Sequence, residues 1–539
     1  MLTDHNHLSL FERLLTLFTR TRPGEGRSTL LFALHVFLLL FSYYIVKALR
    51  EGFMLTEFSA EVRSYAVAAI ALLLMFIVPA YAGVRRRLDG VRLLRVVTVF
   101  FAANLLVFAA LAGAGVSIGF AFFVWVGIFG VMVIAQFWAF AADTFNLKSG
   151  QRLFPVIMLG GNLGALVGVK AAEIAVETFP PLVLMVGATA TLLLTIAFVD
   201  TERAAVPAGS RAIAIEHGRV RPRLLGGIEL VLRDRYLLLI ALLIVLLNWV
   251  NSTGEYILAD VFERTADARV AASGGTVDKQ TAVTMLYADF QFWVTLVGLL
   301  VQLFLVSRIF RAIGVRGALL VLPVVSALAY GLVLFLPIFS MIRIVKIAEN
   351  SLNYTLMNTA NHALYLPVSR DAKYDGKTAI DTFFVRFGDL LQAGLVFIGL
   401  NVLDWDTRHF AITNLLVALA WLGLALAIGR EFRRLARENQ INVAPQPGQH
   451  IPDLLLAPGS RFAFAVPTDA FTDADPGDVL RLHANLLGGA ALPEWCHFDA
   501  RRRAFAGVAP AGFSELQVIV TASDVDGLEA QSRFAIRPA

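Results

Sequence analysis

Arg343-Ile-Val-Lys346-Ile-Ala-Glu349-Asn350-Ser-Leu-Asn353 lies inside a hydrophobic run, where lipid tolerates charge poorly. Offsets of three, seven and ten from Arg343 put Lys346, Asn350 and Asn353 on one stripe of a helix. Each charge at a bilayer centre costs about 2.5–3.5 kcal/mol on insertion scales, so this stripe must face water, a partner charge or a polar solute. The stretch therefore reads as one wall of a solute pathway through a membrane protein.

The rest of the chain agrees. Of 539 residues, 58% are apolar and only 16% charged, which places most of the sequence in the membrane class. Runs of spanning length fall near 29–49, 64–84, 94–113, 118–141, 154–174, 180–199, 236–256, 286–306, 317–337, 338–364, 380–402 and 409–429, about twelve in all. Before them, Leu8, Leu10, Phe11, Leu14, Leu15 and Phe18 have the spacing of an amphipathic surface helix within 1–28. Lone Cys496 excludes an intramolecular disulfide framework. The net charge of +5 gives no reason to expect a nucleic-acid partner, because the basic residues are explained by orientation.

Basic clusters recur in alternate loops, at Arg20 and Arg22, Arg85 to Arg95, Lys148 and Arg152, Arg219 to Arg235, Arg308 and Arg311, and Arg430 to Arg437. By the positive-inside rule the N-terminus, the connection at 201–235 and the tail after 430 are cytoplasmic. That long connection divides the spans into halves at 29–200 and 236–430. The expected fold is an all-α polytopic membrane protein with two six-helix halves, major facilitator-like, around a midplane site.

After a linker at 431–457 the composition changes. Phe462-Ala-Phe464-Ala-Val466 and Leu516-Gln-Val518-Ile-Val520 alternate with period two between turn signals, which predicts a small β-sandwich over 458–539. Phe471-Thr-Asp473-Ala-Asp475, Trp495-Cys-His-Phe498-Asp499 and Thr521-Ala-Ser-Asp524-Val-Asp526-Gly527 resemble immunoglobulin/cadherin-like modules. Such modules are usually extracellular, whereas Arg430 to Arg437 put this one in the cytoplasm, where a protein partner is one use for it. The acidic turns read as turn formers, so no metal is assigned.

Candidate pathway residues recur in other spans. Lys47, Arg50 and Glu51 share a face at the end of the first, where a cavity and the outer interface are both open readings. Gln136 to Asp143 runs toward Arg152 and toward Gly160-Gly161-Asn162-Leu-Gly164; there the glycines read as helix packing and Asn162 as an anion donor. Asn248, Asn251, Ser252 and Glu255 line one face of the seventh span. In the eleventh, Arg386 and Asp389 sit one turn apart, as an internal ion pair or a gate that breaks on rocking. The chain shows no Walker loop, ligand cluster or activated nucleophile, and His362 and His450 are isolated, so it reads as neither an enzyme nor a cofactor protein.

Lys47-Ala-Leu-Arg50-Glu51, Phe137-Trp138 with Arg152-Leu-Phe-Pro155, Asn251 with Glu255, Asn353-Tyr354 through Tyr365-Leu-Pro367, and Gly376-Lys377-Thr-Ala-Ile-Asp381 resemble the ATP/ADP translocase family of nucleotide carriers, over about 30–430. The resemblance implies a carrier in a bacterial inner membrane that exchanges ATP for ADP, with Lys47 and Glu255 at two functional positions. The chain departs from the nucleotide exchangers at Ser149-Gly-Gln151-Arg152, at Asn361-His362 and at Gly388-Asp389-Leu390, losing cations, and looks more like the free-living branch. On this reading Lys47, Arg50, Asn162, Asn251, Arg343, Lys346, Asn350, Asn353 and Arg386 contact an anionic, nucleotide-like solute. Glu51, Asp143, Arg152, Glu255, Glu349 and Asp389 are charge partners or gates. The alternatives are a proton-coupled carrier of a lipid, zwitterion or drug-like solute, and a membrane sensor or scaffold that transports nothing.

Overall fold

A computed structural model describes residues 24–85, 89–207, 210, 224–274, 276–368, 372–438, 445–473, 480–524 and 528–539. The expected surface helix falls outside them up to residue 23. The chain divides into two compact units, Met1–Phe432 and Arg433–Ala539.

The first unit is helical. Its N-terminal half comprises α1 (Glu25–Glu57), α2 (Ala60–Arg85), α3 (Gly90–Gly113), α4 (Gly119–Thr144), α5 (Leu147–Ala175) and α6 (Pro181–Ala205). The short α7 (Leu224–Arg233) precedes α8 (Arg235–Ala272), α9 (Lys279–Leu300), α10 (Val306–Phe335), α11 (Phe339–Leu352), α12 (Lys377–Asn401) and α13 (Thr407–Glu438). Starts follow local chemistry: the side chains of Asp89, Asn146, Asp234 and Asp278 each accept an amide three residues on and cap α3, α5, α8 and α9. Pro181 occupies the first turn of α6, where no amide is needed.

Ten stretches among the described residues are long and apolar enough to cross a bilayer. One of them, Lys279–Phe335, has 57 residues. As continuous helix it would run about 85 Å, far beyond one hydrocarbon thickness. Gly314 breaks it with a φ of 64°, separating two passes. The run from Phe339 through Ala363 misses the apolar criterion because it carries Arg343, Lys346 and Glu349. With these two the passes number twelve, and the chain is a multi-pass membrane protein.

Two helices overrun the spans read from hydropathy. The 33 residues of α1 and 38 of α8 extend about 50 and 57 Å, so residues near an apparent span end stay inside the bundle. The helix α1 packs on α5 through a glycine stripe: a Cβ on Gly160, Gly164 or Gly168 would stand 2.4, 2.2 or 2.5 Å from the carbonyl oxygen of Ala33, Phe37 or Phe41. These glycines let two backbones touch, which is the packing role read for Gly160 and Gly164.

In the second unit β2 (Leu454–Leu456), β9 (Glu529–Pro538), β8 (Leu516–Ser523) and β5 (Arg481–Leu486) form one sheet in that order; β3 (Arg461–Ala465), β7 (Ala504–Val508) and β6 (Cys496–Asp499) form another. A short pair joins β1 (Gln446–Pro447) to β4 (Phe471–Thr472). Among the described residues only β2 and β9 pair in parallel. Val518, Val520 and Ala522 alternate inward along β8 and pack with Phe505, Phe534 and Cys496, giving the sandwich its core. Asp524 accepts the Leu528 amide at 2.9 Å and closes the turn between β8 and β9; Asp475 and Asp526 lie outside the described residues.

Candidate functional site

Because α1 continues to Glu57, its Lys47, Arg50 and Glu51 are held against the bundle interior rather than at a frayed end. Two residues, Phe58 and Ser59, turn the chain into α2 and bring Arg63 back over Glu51. The Glu51 carboxylate accepts Arg63 Nε at 2.7 Å and Arg50 Nε and Nη2 at 3.2 and 3.1 Å. Glu51 and Arg63 are 3% and 5% exposed, so each depends on the other for charge compensation. The Arg50 guanidinium also lies 4.4 Å from the centre of the Phe123 ring. Lys47 donates to Gln291 Oε1 at 2.9 Å and stands over Tyr44.

The C-terminal half meets this group through Glu255 on α8. Its carboxylate is 3.6 Å from Arg63 Nη2 and 3.6 Å from Lys346 Nζ, and it accepts Asn350 Nδ2 at 2.8 Å. Lys346 in turn donates to Glu349 at 2.8 Å, and Glu349 accepts the hydroxyls of Ser326 and Tyr330 at 2.8 and 2.9 Å. Gly254 permits this: a Cβ there would lie 2.1 Å from the Tyr330 hydroxyl and 2.9 Å from Lys346 Nζ. A chain of alternating sign, Arg50, Glu51, Arg63, Glu255, Lys346, Glu349, thus crosses from one half to the other. On α12, Asp389 accepts Ser252 Oγ at 2.7 Å and lies 3.7 Å from Arg386.

These groups surround a cavity of about 320 Å³. Lys47, Arg50, Glu51, Asn251, Glu255, Asn350, Arg386 and Asp389 all line it, together with Tyr43, Tyr44, Phe123, Tyr287 and Tyr354. Tyr354 is shared with two further chambers of about 400 and 310 Å³; the first carries the Lys377 and Asp381 pair among asparagines and aliphatic residues, and the second is lined largely by amides and hydroxyls. Asn353 opens into the first and Asn162 into the second, not into the charged cavity. At Asn353 the α11 helix gives way to a π turn, Asn353–Met357, which shifts the register of the residues that follow.

Other expected site residues lie elsewhere. Lys346 and Glu349 are buried behind the cavity wall and hold Glu255 and Tyr330 rather than facing the void. Arg343, one turn into α11, pairs with Asp289 on α9. Arg152 binds Glu25 at 2.7 Å, at the far end of α1 and about 33 Å along it from Lys47. Asp143 is exposed near the end of α4, beside Gly90.

Sequence reading missed Arg63, Tyr287 and Gln291, whereas Gln392, singled out after Asp389 in the eleventh span, does line the cavity. Residues 50–63 look like a basic-poor loop, yet the acid at 51 and the base at 63 flank a tight turn with Ser59 at its end, the one local signal for their pairing. At the same end the halves are latched by Glu263, which accepts the Ala60 amide at 3.0 Å, by Asn401 donating to Glu61 at 2.6 Å, and by Gln392 reaching Ser64 at 3.4 Å.

This chain is similar in sequence to known carrier proteins. It matches "ADP,ATP carrier protein 1" of Chlamydia trachomatis at 23% identity over 347 residues, covering 56% of this chain and 63% of that protein. It matches "ADP,ATP carrier protein 3" of Rickettsia conorii at 21% identity over 364 residues, covering 57% and 68%. Over these stretches the chain is similar to the ADP,ATP carrier proteins. The chain thus spans a little under two thirds of the length of the chlamydial relative.

Among solved structures, the nucleoside transporter NupG superposes with a TM-score of 0.52 at 11% identity, covering 76% of this chain and 98% of that one. The POT family transporter PepTSo gives 0.52 at 14% identity, covering 78% and 99%. The membrane unit therefore has the major facilitator-like fold expected from span count. Residues 444–539 match the family model described as "Putative Ig domain", in agreement with the immunoglobulin-like module read from the sequence.

Proposed function

We propose that this protein carries a nucleotide-like anionic solute across a membrane by alternating access. The observation that carries this reading is the chain of opposite charges contributed by both halves to the wall of one cavity. Rings stand beside the cations there: Phe123 under Arg50 and Tyr44 under Lys47. An anion paired with a planar base suits such a wall, since base stacking on an aromatic ring contributes about 1–3 kcal/mol. Lys47, Arg50 and Arg386 contact the anion, while Asn251 and Asn350 offer neutral hydrogen bonds. Lys346 positions Glu255 instead of touching solute. The Arg63–Glu255 pair and the Glu263, Glu61 and Ser64 contacts close one end, and they break when the halves rock the other way.

Exchange of ATP for ADP is the most specific form of this reading, supported by the distant carrier homology. In proteoliposomes labelled ATP uptake then rises with internal ADP; uptake indifferent to internal ADP eliminates that form. A proton-coupled carrier is the second reading. Asp389 favours it, because its one close donor is the Ser252 hydroxyl and Arg386 stands off at 3.7 Å, which leaves a carboxylate able to take a proton. Uptake driven by a pH gradient and abolished by Asp389→Asn supports that version. On this reading the halves at 29–200 and 236–430 are the moving bodies, and the arginines from Arg430 to Arg437 support a cytoplasmic terminal module in a bacterial inner membrane; a tag at residue 450 tests that side directly.

A further inference from the structure

We infer that the solute this cavity accepts carries a single negative charge. The inference rests on the carrier reading above and narrows it. Four cations line the cavity, Lys47, Arg50, Arg63 and Arg386, against three carboxylates, Glu51, Glu255 and Asp389. Behind the wall Lys346 and Glu349 cancel one another at 2.8 Å. Every guanidinium already has an acid: Arg50 and Arg63 share Glu51, Arg63 also reaches Glu255, and Arg386 faces Asp389.

Lys47 differs. Among the described residues its ammonium finds no carboxylate within ion-pair distance, only the neutral Gln291 amide oxygen and the Tyr44 ring. One uncompensated positive charge therefore remains in a largely buried wall, and a monoanion brings the occupied cavity to neutrality. An uncharged solute leaves Lys47 unbalanced. A nucleoside triphosphate, with about four negative charges, would set some three of them against Glu51, Glu255 and Asp389 with no cation to spare. Phosphodiesters, monocarboxylates and acidic amino acids of net charge minus one fit.

The test is a pair of charge ladders titrated calorimetrically into purified full-length protein at fixed ionic strength. One ladder is adenosine, adenosine 5′-methyl phosphate, AMP, ADP and ATP; the other is benzamide, benzoate, phthalate and trimesate. Affinity is expected to peak at the singly charged member and to fall at least about tenfold for each further charge. Lys47→Gln moves the peak to the uncharged member, and Asp389→Asn moves it to the doubly charged one, so two variants with opposite effects guard against a folding artefact. A peak at ADP or ATP, or a peak that neither variant moves, overturns the single-charge inference and leaves the carrier reading intact. Binding by the benzoate ladder with the expected peak, but by no nucleoside, upholds the inference and removes the nucleotide-like solute. Silence from both ladders overturns both.

Discussion

Replacing Glu51 by Gln keeps the side chain's shape and removes one charge from beneath two arginines. Glu51 accepts four hydrogen bonds of 2.7–3.3 Å from Arg63 and Arg50, and its side chain is 4% exposed. Breaking a buried ion pair by deleting one partner costs about 3–5 kcal/mol, because the other charge is left without compensation. The adjoining cavity admits water and Glu255 lies 3.6 Å from Arg63, so the low end, about 3 kcal/mol, is the expected loss. Arg63→Gln should lose less, about 1–2 kcal/mol, since Glu51 keeps Arg50. In the double variant both mismatched groups are neutral and hydrogen-bonded, so its loss should fall below the sum of the single losses by about 1.5 kcal/mol or more. Reversible unfolding in mixed micelles, followed by tryptophan fluorescence, gives the three values. Strict additivity would mean that Glu51 and Arg63 do not meet, and the charged chain between the halves would lose its first link.

Gly164→Ala places a methyl group 2.2 Å from the Phe37 carbonyl oxygen. Forcing α5 off α1 should cost about 1–3 kcal/mol, against which alanine's better helix propensity returns no more than about 1 kcal/mol; thermal unfolding in detergent checks it, and a stabilised variant contradicts the close packing. Cys496 is buried in the sandwich core, where desolvation pushes its thiol up to about 11. At pH 8 only about one thiol in a thousand is ionised, so iodoacetamide should leave it unmodified until denaturant opens the module; rapid labelling of the native protein would place the residue at the surface. Asp406, at the start of α13, accepts the amides of Arg408 and His409 and the His409 ring, which hold its carboxyl below the usual range. Its cap stabilises the helix above the unfolded carboxyl's titration range and is lost as pH falls through the lowered value. Asp406→Ala should therefore increase amide exchange in the first turn of α13 at pH 7, with the difference shrinking toward pH 3.

Hydropathy located the passes because a bilayer demands some twenty apolar residues in a row, whatever packs beside them. It placed their ends poorly. Helices α1 and α8 run on past the apolar core, and Glu51 on α1 and Glu255 on α8 find partners inside the bundle instead of water. That made Lys47, Arg50 and Glu51 look interfacial and hid Arg63 altogether. The stripe from Arg343 to Asn353 was legible as polar, but helical spacing alone cannot show that Asn353 lines a neighbouring chamber, nor that Asp289 claims Arg343. Depth was equally invisible: Lys346 shares a face with Asn350 yet sits behind the wall, because Gly254 lets it reach beneath α8. In the sandwich, period two sufficed for β3 and β8, where one face is buried and the other is wet.

The central claim is that side chains from the two halves meet across one water-filled chamber. Lys47→Cys and Arg386→Cys, combined in a Cys496→Ala background with a protease site inserted within 211–223, test it most directly. A short bifunctional thiosulfonate, water-soluble and added from the aqueous phase, should join the thiols so that the halves stay together after cleavage, and pre-treatment with a charged monofunctional reagent should prevent it. Halves that separate, or thiols that react only with lipid-soluble reagents, would contradict the account.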